Sequence, residues 1–575
     1  LLPLLAVAKT APDSYTCNAV VDNGAQEVQC TAGVPDCASC KVTPRGTCAE
    51  PSGMREPEGS LAVLIVAAIV GCVMCFGIGG NDAANSWGTS VGSGAISVFW
   101  ACILGGIGEF LGATLLGAGV SNTIQTAVAE IHSPGCWACG FCDSKMAMYQ
   151  FGMLAALISA SVFLFLTTFW ALPVSTTHAI VGGVVGMTAV CLGGGCLNWA
   201  ISGGLGAIVL SWVLSPLLAG FVAMAMYLFN YMAVFNRRDP VEAAFVVVPF
   251  LYGFTAALIL FLILLKSPIT KKAVSPQARY ISTAMVFFVV TLLVKFFLNP
   301  RTRRDLEAMR KEAQEEKQKK AEAKEEPAAA GENCGDPEVS NSSQLQGVQD
   351  LPQPEEGQLA TTIAGGASKE LDADDLWIEA TEELELKAPT GLRLCQANEG
   401  TETPAQLEAK RVFKPLLIMV AFLESFAHGA NDTANATGPV GAIWATYDQG
   451  IYACSVKETP VWIMAIAGLF VALGVNVMGY RVIKTMGKDL CCMDFHLGFC
   501  IEFASGFSVV MATLIGMPVS TTHCQVGAVV FVGSLAHGPR NVSWGMMGKI
   551  VIAWVSTLPF AGGLGALLMH LRFFV

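Results

Sequence analysis

Membrane-length apolar runs leave this chain few ways to fold. About twelve stretches reach the roughly 20 residues that a helix needs to cross a bilayer core. They lie near 61–80, 96–118, 147–171, 174–194, 199–230, 244–265, 280–298, 413–430, 461–479, 498–516, 519–536 and 545–573. In lipid the backbone must satisfy its own hydrogen bonds, so runs of this length become helices. The expected fold is an all-α integral membrane protein with about 12 transmembrane helices. Composition points the same way, with 53% hydrophobic and 14% charged residues, where soluble domains carry about a quarter charged. Charge is concentrated in residues 299–412, which hold 14 Lys+Arg against 25 Asp+Glu. That segment accounts for the whole net charge of −11, so the acidic balance describes a loop and not a substrate site. Without a basic face, nucleic acid is excluded as a partner.

Four regions follow. Residues 1–59 form a Cys-rich outer segment, 60–298 a first membrane half, 299–412 a charged and largely disordered cytoplasmic loop, and 413–575 a second membrane half. The first half holds one repeat plus two extra helices, and a charged helix is expected over 301–326. Leu1–Ala8 reads as the end of a signal-peptide core, with Ala6-Val7-Ala8 as a small-x-small site. Placing the N-terminus outside puts Arg237, Arg238, Arg301, Arg303, Arg304, Lys410 and Arg411 inside, as the positive-inside rule requires. Lys266, Lys271, Lys272 and Arg279 then fall outside, against the rule. Both termini are expected to be extracellular or luminal, in the plasma membrane. Cys17, Cys30, Cys37, Cys40 and Cys48 share that oxidising side with Cys136, Cys139 and Cys142. Disulfides between the two groups are expected, with a zinc site as the alternative.

An internal repeat carries the chemistry. Residues 79–88 read GGNDAANSWG and residues 429–438 read GANDTANATG, while PVSTTH occurs identically at 173–178 and 518–523. Both motif pairs keep the same order at nearly equal spacing. Seven expected crossings separate the copies, so the repeats have inverted topology, and their sites meet near the midplane at broken helices. In the first motif, glycines are expected to let the backbone leave helical geometry. Asp82, Asn85, Asp432 and Asn435 then offer hard oxygen ligands suited to a small cation such as sodium. An intramembrane Asp costs about 3 kcal/mol even on the mild insertion scale, which argues for function.

In the second motif, proline suits a helix's first turn. Ser175, Thr176, Thr177, Ser520, Thr521 and Thr522 then stand beside free N–H groups at positive helix ends, which bind oxyanions without formal charge. Asn81 and Asn431 are placed with the anion. Glu109, Glu502, His178 and His523 are candidates for coupling, weighed against helix bridging for the acids and a neutral buried role for the histidines. Glu424 ranks below them for want of a counterpart in the first half. The membrane portion has no nucleophile–base pair or metal-ligand spacing, so it is not expected to be an enzyme.

Together with SWVLSPLLAG at 211–220, RVIKTMGKDL at 481–490 and GFCIEFASG at 498–506, these motifs resemble the PiT-type inorganic phosphate transporter family. The resemblance implies a sodium-coupled symporter of inorganic phosphate working by alternating access, with sodium ions as co-substrate and no cofactor. It implies phosphate on the Ser/Thr motifs, cations at Asp82, Asn85, Asp432 and Asn435, and a transport role for Glu502. Phosphate, sodium, the lipid bilayer and a second copy in a homodimer are the expected partners. A proton-driven phosphate, sulfate or metal–phosphate carrier on the same scaffold is the alternative, as is a non-transporting phosphate sensor. The family's usual pattern has no counterpart to the Cys-rich outer segment.

Overall fold

The computed structural model describes residues 14–21, 24–31, 60–133, 135–139, 145–170, 172–201, 203–267, 270, 273–325, 403–449, 459–489 and 493–572. Cys37, Cys40, Cys48 and Cys142 lie outside these residues, as does most of the central loop. A two-stranded antiparallel ribbon, β1 (Ser14–Val21) and β2 (Gly24–Thr31), precedes the helices. Contacts group Leu1–Pro300 and Pro389–Val575 into one compact unit and Arg301–Ala388 into another. The charged run forms α9 (Asn299–Glu325).

In chain order the remaining helices of the first half are α1 (Ser60–Gly92), α2 (Val98–Leu116), α3 (Ala118–Thr126), α4 (Met146–Phe169), α5 (Thr176–Leu192), α6 (Leu205–Asn230), α7 (Pro240–Lys266) and α8 (Pro276–Leu293). The second half holds α10 (Pro404–Val412), α11 (Lys414–Gln449), α12 (Val461–Asp489), α13 (Phe495–Leu514), α14 (Thr521–His537) and α15 (Trp544–Arg572). Among the described residues, nine helices are long and apolar enough to cross a membrane, or ten counting the bent pair α10–α11. That is fewer than the apolar runs suggested. The run at 174–194 becomes α5, only 17 residues long, or about 26 Å at 1.5 Å per residue.

The glycines of the Asp-Asn motifs do not break their helices, contrary to expectation: α1 and α11 run unbroken through them. They serve close packing instead. A Cβ at Gly79 would lie 2.0 Å from the Val471 carbonyl oxygen, and one at Gly474 would lie 1.9 Å from that of Phe76, where α1 crosses α12. The same contact recurs where α2 crosses α11, at Gly112 against Phe426 (1.9 Å) and Gly429 against Glu109 (2.2 Å). Gly474→Val should therefore force α1 and α12 apart and lower surface protein at least fivefold by surface biotinylation. Gly119→Ala, with nothing within 4 Å of its added Cβ, should leave it unchanged.

The breaks fall at the PVSTTH motifs. There α4 turns into α5 and α13 turns into α14, each pair forming a helical hairpin. Cys136, ahead of α4, is disulfide-bonded to Cys196, just after α5. Glu130 N–H donates to the Cys196 carbonyl (2.9 Å) and Asn198 N–H to that of Val128 (3.1 Å). The two feet of the first hairpin are thus stapled at one level. Cys196 was absent from the two cysteine groups weighed in the sequence, and its bond takes Cys136 out of the disulfides expected between them. Cys139 is also disulfide-bonded.

Candidate substrate and ion site

Each hairpin tip is held by one asparagine from the middle of a long helix. Asn81 Nδ2 donates to Thr168 Oγ1 (3.0 Å) and the Leu172 carbonyl (3.1 Å), while its Oδ1 accepts from Val174 N–H (3.2 Å). Asn431 repeats the pattern with Thr513 Oγ1 (3.3 Å), the Met517 carbonyl (3.2 Å) and Val519 N–H (3.2 Å). A planar amide that both donates and accepts can pair a bent backbone on two sides. The two asparagines therefore form part of the scaffold of the tips.

Within each tip the serine is the helix N-cap. Ser175 Oγ accepts from His178 N–H and Ser520 Oγ from His523 N–H, both at 3.3 Å. Proline consequently stands two residues ahead of the cap and not in the first turn, which corrects the sequence reading; β-region backbone at the cap is what an accepting serine requires. The helices α5 and α14 begin at Thr176 and Thr521, so their free N–H groups lie at the tips.

The tips meet. Thr177 Oγ1 donates to the Val519 carbonyl (3.1 Å), and Thr522 Oγ1 donates to that of Val174 (3.3 Å). Each Asp-Asn motif also reaches across to the other half's hairpin. Asn85 Nδ2 donates to Thr522 Oγ1 (3.0 Å), and Asn435 Nδ2 donates to Thr176 Oγ1 (3.0 Å) and Thr177 Oγ1 (3.2 Å). Thr521 Oγ1 donates to Asp432 Oδ2 (2.7 Å), and Asn85 Nδ2 to Asp82 Oδ1 (3.2 Å). All twelve residues expected to bind the anion or cation are buried. They form one cluster.

Four oxygens in that cluster are buried without a hydrogen-bond donor: Asp82 Oδ2, Asn85 Oδ1, Asp432 Oδ1 and Asn435 Oδ1. They belong to the four side chains expected to ligate a cation. A buried acceptor left unpaired is unfavourable by about 1–3 kcal/mol, and hard oxygen donors suit a small hard cation.

His428 was missed by the sequence reading and lies between the aspartates. Its Nε2 is 3.0 Å from Asp432 Oδ2 and 3.6 Å from Asp82 Oδ2, and its Nδ1 is 2.7 Å from both Glu109 oxygens. One ligand atom from each of Asp82, His428 and Asp432 falls within 4.8 Å of the others. Glu109 thus joins the site through His428. Glu502 sits apart from it: Oε1 accepts from Thr89 Oγ1 and from Gln525 Nε2 (3.3 Å). The carboxyl of Glu424, which the sequence ranked low, interacts with that of Glu502 and accepts from Ser505 Oγ.

The two motif histidines face each other, with ring centroids 4.6 Å apart. Trp212 lies 4.0 Å from the His178 ring and Trp554 lies 3.8 Å from that of His523. His523 Nδ1 is 3.1 Å from the Trp212 carbonyl, which lacks an intrahelical donor because Pro216 stands four residues on. Their partners are each other and tryptophan, in line with a structural role.

Comparison with known proteins extends this picture. The phosphate-repressible phosphate permease pho-4 of Neurospora crassa is 29% identical over 579 residues, covering 88% of this chain and 96% of that protein. Sodium-dependent phosphate transporter 2 of Felis catus is 27% identical, covering 89% and 98%. A solved structure described as the sodium-dependent phosphate transporter superposes with a TM-score of 0.65 at 27% identity, covering 89% of this chain and all of that one. The profile of the phosphate transporter family matches residues 78–565, which include both motif pairs and every site residue described above. With its many membrane-length helices, the chain is an integral membrane protein, and it belongs to the phosphate transporter family.

Proposed function

We propose that this chain carries inorganic phosphate across a membrane by symport with sodium, through alternating access of the buried cluster. The observation that carries this reading is the set of four orphaned oxygens on Asp82, Asn85, Asp432 and Asn435 beside two helix N-termini. Sodium at the oxygens would neutralise buried carboxylates and draw a phosphate anion to the hydroxyls of Thr176, Thr177, Thr521 and Thr522 and the N–H groups around them. Each ion's site is weak without the other, because charge buried alone is costly. That mutual dependence is the coupling. The absence of Lys or Arg from the cluster leaves release as accessible as capture.

We read the topology as two inverted repeats. In this reading α4–α5 and α13–α14 are re-entrant hairpins that reach the midplane from opposite faces and return. Counting each hairpin as no net crossing leaves five crossings in the first half and three in the second. That parity puts both termini on one side and the central loop on the other, which we read as termini outside the plasma membrane and loop inside. The stapled feet of α4 and α5 support it, as do the matched hydrogen bonds of the two halves.

The test is radiolabelled phosphate uptake in transporter-deficient cells, with sodium replaced by choline across a pH series. Uptake should fall at least tenfold without sodium at neutral pH. Sodium-independent uptake that grows as pH falls would overturn sodium coupling in favour of protons.

A further inference from the structure

The two hairpins are fastened at their feet in different ways. Both feet of the first are joined by the Cys136–Cys196 disulfide. The leading foot of the second, at the start of α13, is held by an ion pair: Lys410 Nζ lies 2.7 Å from Asp494 Oδ2, with both side chains about nine-tenths buried (10% and 11% exposed). Asp494 also N-caps α13, its Oδ1 accepting from Leu497 N–H at 2.7 Å. One carboxylate therefore holds both the helix end and the lysine. Burial pushes the Asp494 carboxyl up, but the Lys410 ammonium and the Leu497 N–H outweigh it and hold the group below the usual carboxylate range.

Lys410 sits on α10, the short helix by which the chain returns from the central loop. Thr403 and Gln406 cap its start reciprocally, at 2.9 and 3.3 Å. Gln406 Nε2 donates to the Phe235 carbonyl (3.2 Å), tying α10 to the residues after α6. A 42° bend then leads from α10 into α11, which carries Asp432. Around the ion pair, the His496 ring at the foot of α13 packs against Phe235 (4.6 Å), Phe413 (5.1 Å) and Tyr227 (5.4 Å). The foot of the second hairpin is thus clasped by α10, the bend into α11 and the end of α6, with the ion pair as its charged contact.

We propose that Lys410 and Asp494 are positioning residues for transport. They form an ionic latch that sets where the second hairpin stands, and so where Thr521 and Thr522 meet Thr176 and Thr177. The latch rests on the transport reading above. A rigid helix carries displacement along its length, so a shift at Asp494 reaches the tip that α13 leads into. A disulfide would not release during the cycle; an ion pair can. The disulfide ties the first hairpin's feet to each other, whereas the ion pair ties the second hairpin's foot to a neighbouring helix and so sets where it stands.

The test uses the full chain in transporter-deficient cells, with uptake normalised to surface protein. Asp494→Asn retains an N-cap acceptor and removes the charge, while Lys410→Met keeps most of the apolar stem. Each should raise the apparent KM for phosphate about tenfold without a matching fall in maximal rate. The double variant should be no worse than either single, as for two partners in one contact. Lys410→Arg should stay within about twofold of the unaltered chain. An unaltered KM in Asp494→Asn, losses that multiply in the double variant, or loss of surface protein in both singles would each overturn the latch. No uptake by the unaltered chain would sink the transport reading itself, and the latch with it.

Discussion

Asp82→Asn and Asp432→Asn should each reduce phosphate uptake by at least a hundredfold while surface protein stays within about twofold. The substitution keeps the shape of the side chain and its capacity to accept, so Thr521 Oγ1 can still donate to residue 432 and Asn85 Nδ2 to residue 82. What disappears is the negative charge beside the orphaned oxygens of Asn85 and Asn435. A cation in a buried site depends on that charge, and losing even about 3 kcal/mol of its binding is more than a hundredfold in affinity. Removing a buried carboxylate also lowers the burden on folding, so these variants should reach the surface. Measuring uptake across a sodium titration separates the outcomes. A shifted sodium dependence with partial activity at high sodium marks a ligand, and unchanged uptake in either variant removes that residue from the ion site.

The membership of the buried cluster could be read from the sequence largely because it is duplicated. Equal residues at equal spacing pointed to Asp82 with Asp432, Asn85 with Asn435, and Thr176–Thr177 with Thr521–Thr522, all of which lie in one buried cluster. The same symmetry hid what is not duplicated. Displacing the second Asp-Asn motif by its offset of 350 puts Ile78 opposite His428 and Met74 opposite Glu424. The corresponding partners of Glu109 and Glu502 are Val471 and Leu157. Two ionisable pairs, His428–Glu109 across the halves and Glu424–Glu502 within the second, thus stand where the repeat-related positions are buried apolar side chains. The signal available was that exchange: four apolar positions answered by four ionisable ones in the repeat, which a search for identical residues passes over.

Local chemistry was a weaker guide than repetition. Glycines that suggested unwinding permit helix crossing instead, because at 2 Å from a neighbouring carbonyl no side chain fits. A short apolar run that satisfied a hydropathy window became one leg of a hairpin, because its serine cap and the disulfide beyond it fix both ends. Neither outcome depends on the run's own composition. Both depend on partners far away in the chain.

The asymmetric pair supplies the second large effect. His428→Ile alone should remove most surface protein. It strips the imidazole from between Glu109, Asp82 and Asp432, leaving three buried carboxylates facing one another. Breaking one partner of a buried ionic pair is unfavourable by about 3–5 kcal/mol. The ring nitrogens face carboxylates on both sides, Nδ1 toward Glu109 and Nε2 toward Asp432 and Asp82, so the imidazole separates the buried acids. Replacing both partners with the residues at the repeat-related positions, His428→Ile with Glu109→Val, gives the apolar pair Ile78 and Val471, which this fold already buries in one core cluster. Surface protein should then recover to at least half of normal, as when both ends of a buried pair become apolar. Uptake by the recovered double variant should nonetheless stay below about one-hundredth of normal, because the imidazole is gone from between Asp82 and Asp432 while both carboxyl groups remain. Surface biotinylation and phosphate uptake on the same cells decide it. If the double variant transports at a near-normal rate, the His428–Glu109 pair holds helices α2 and α11 together and does nothing more. If it reaches the surface and stays silent, the broken symmetry of the two halves is part of how the ions are coupled.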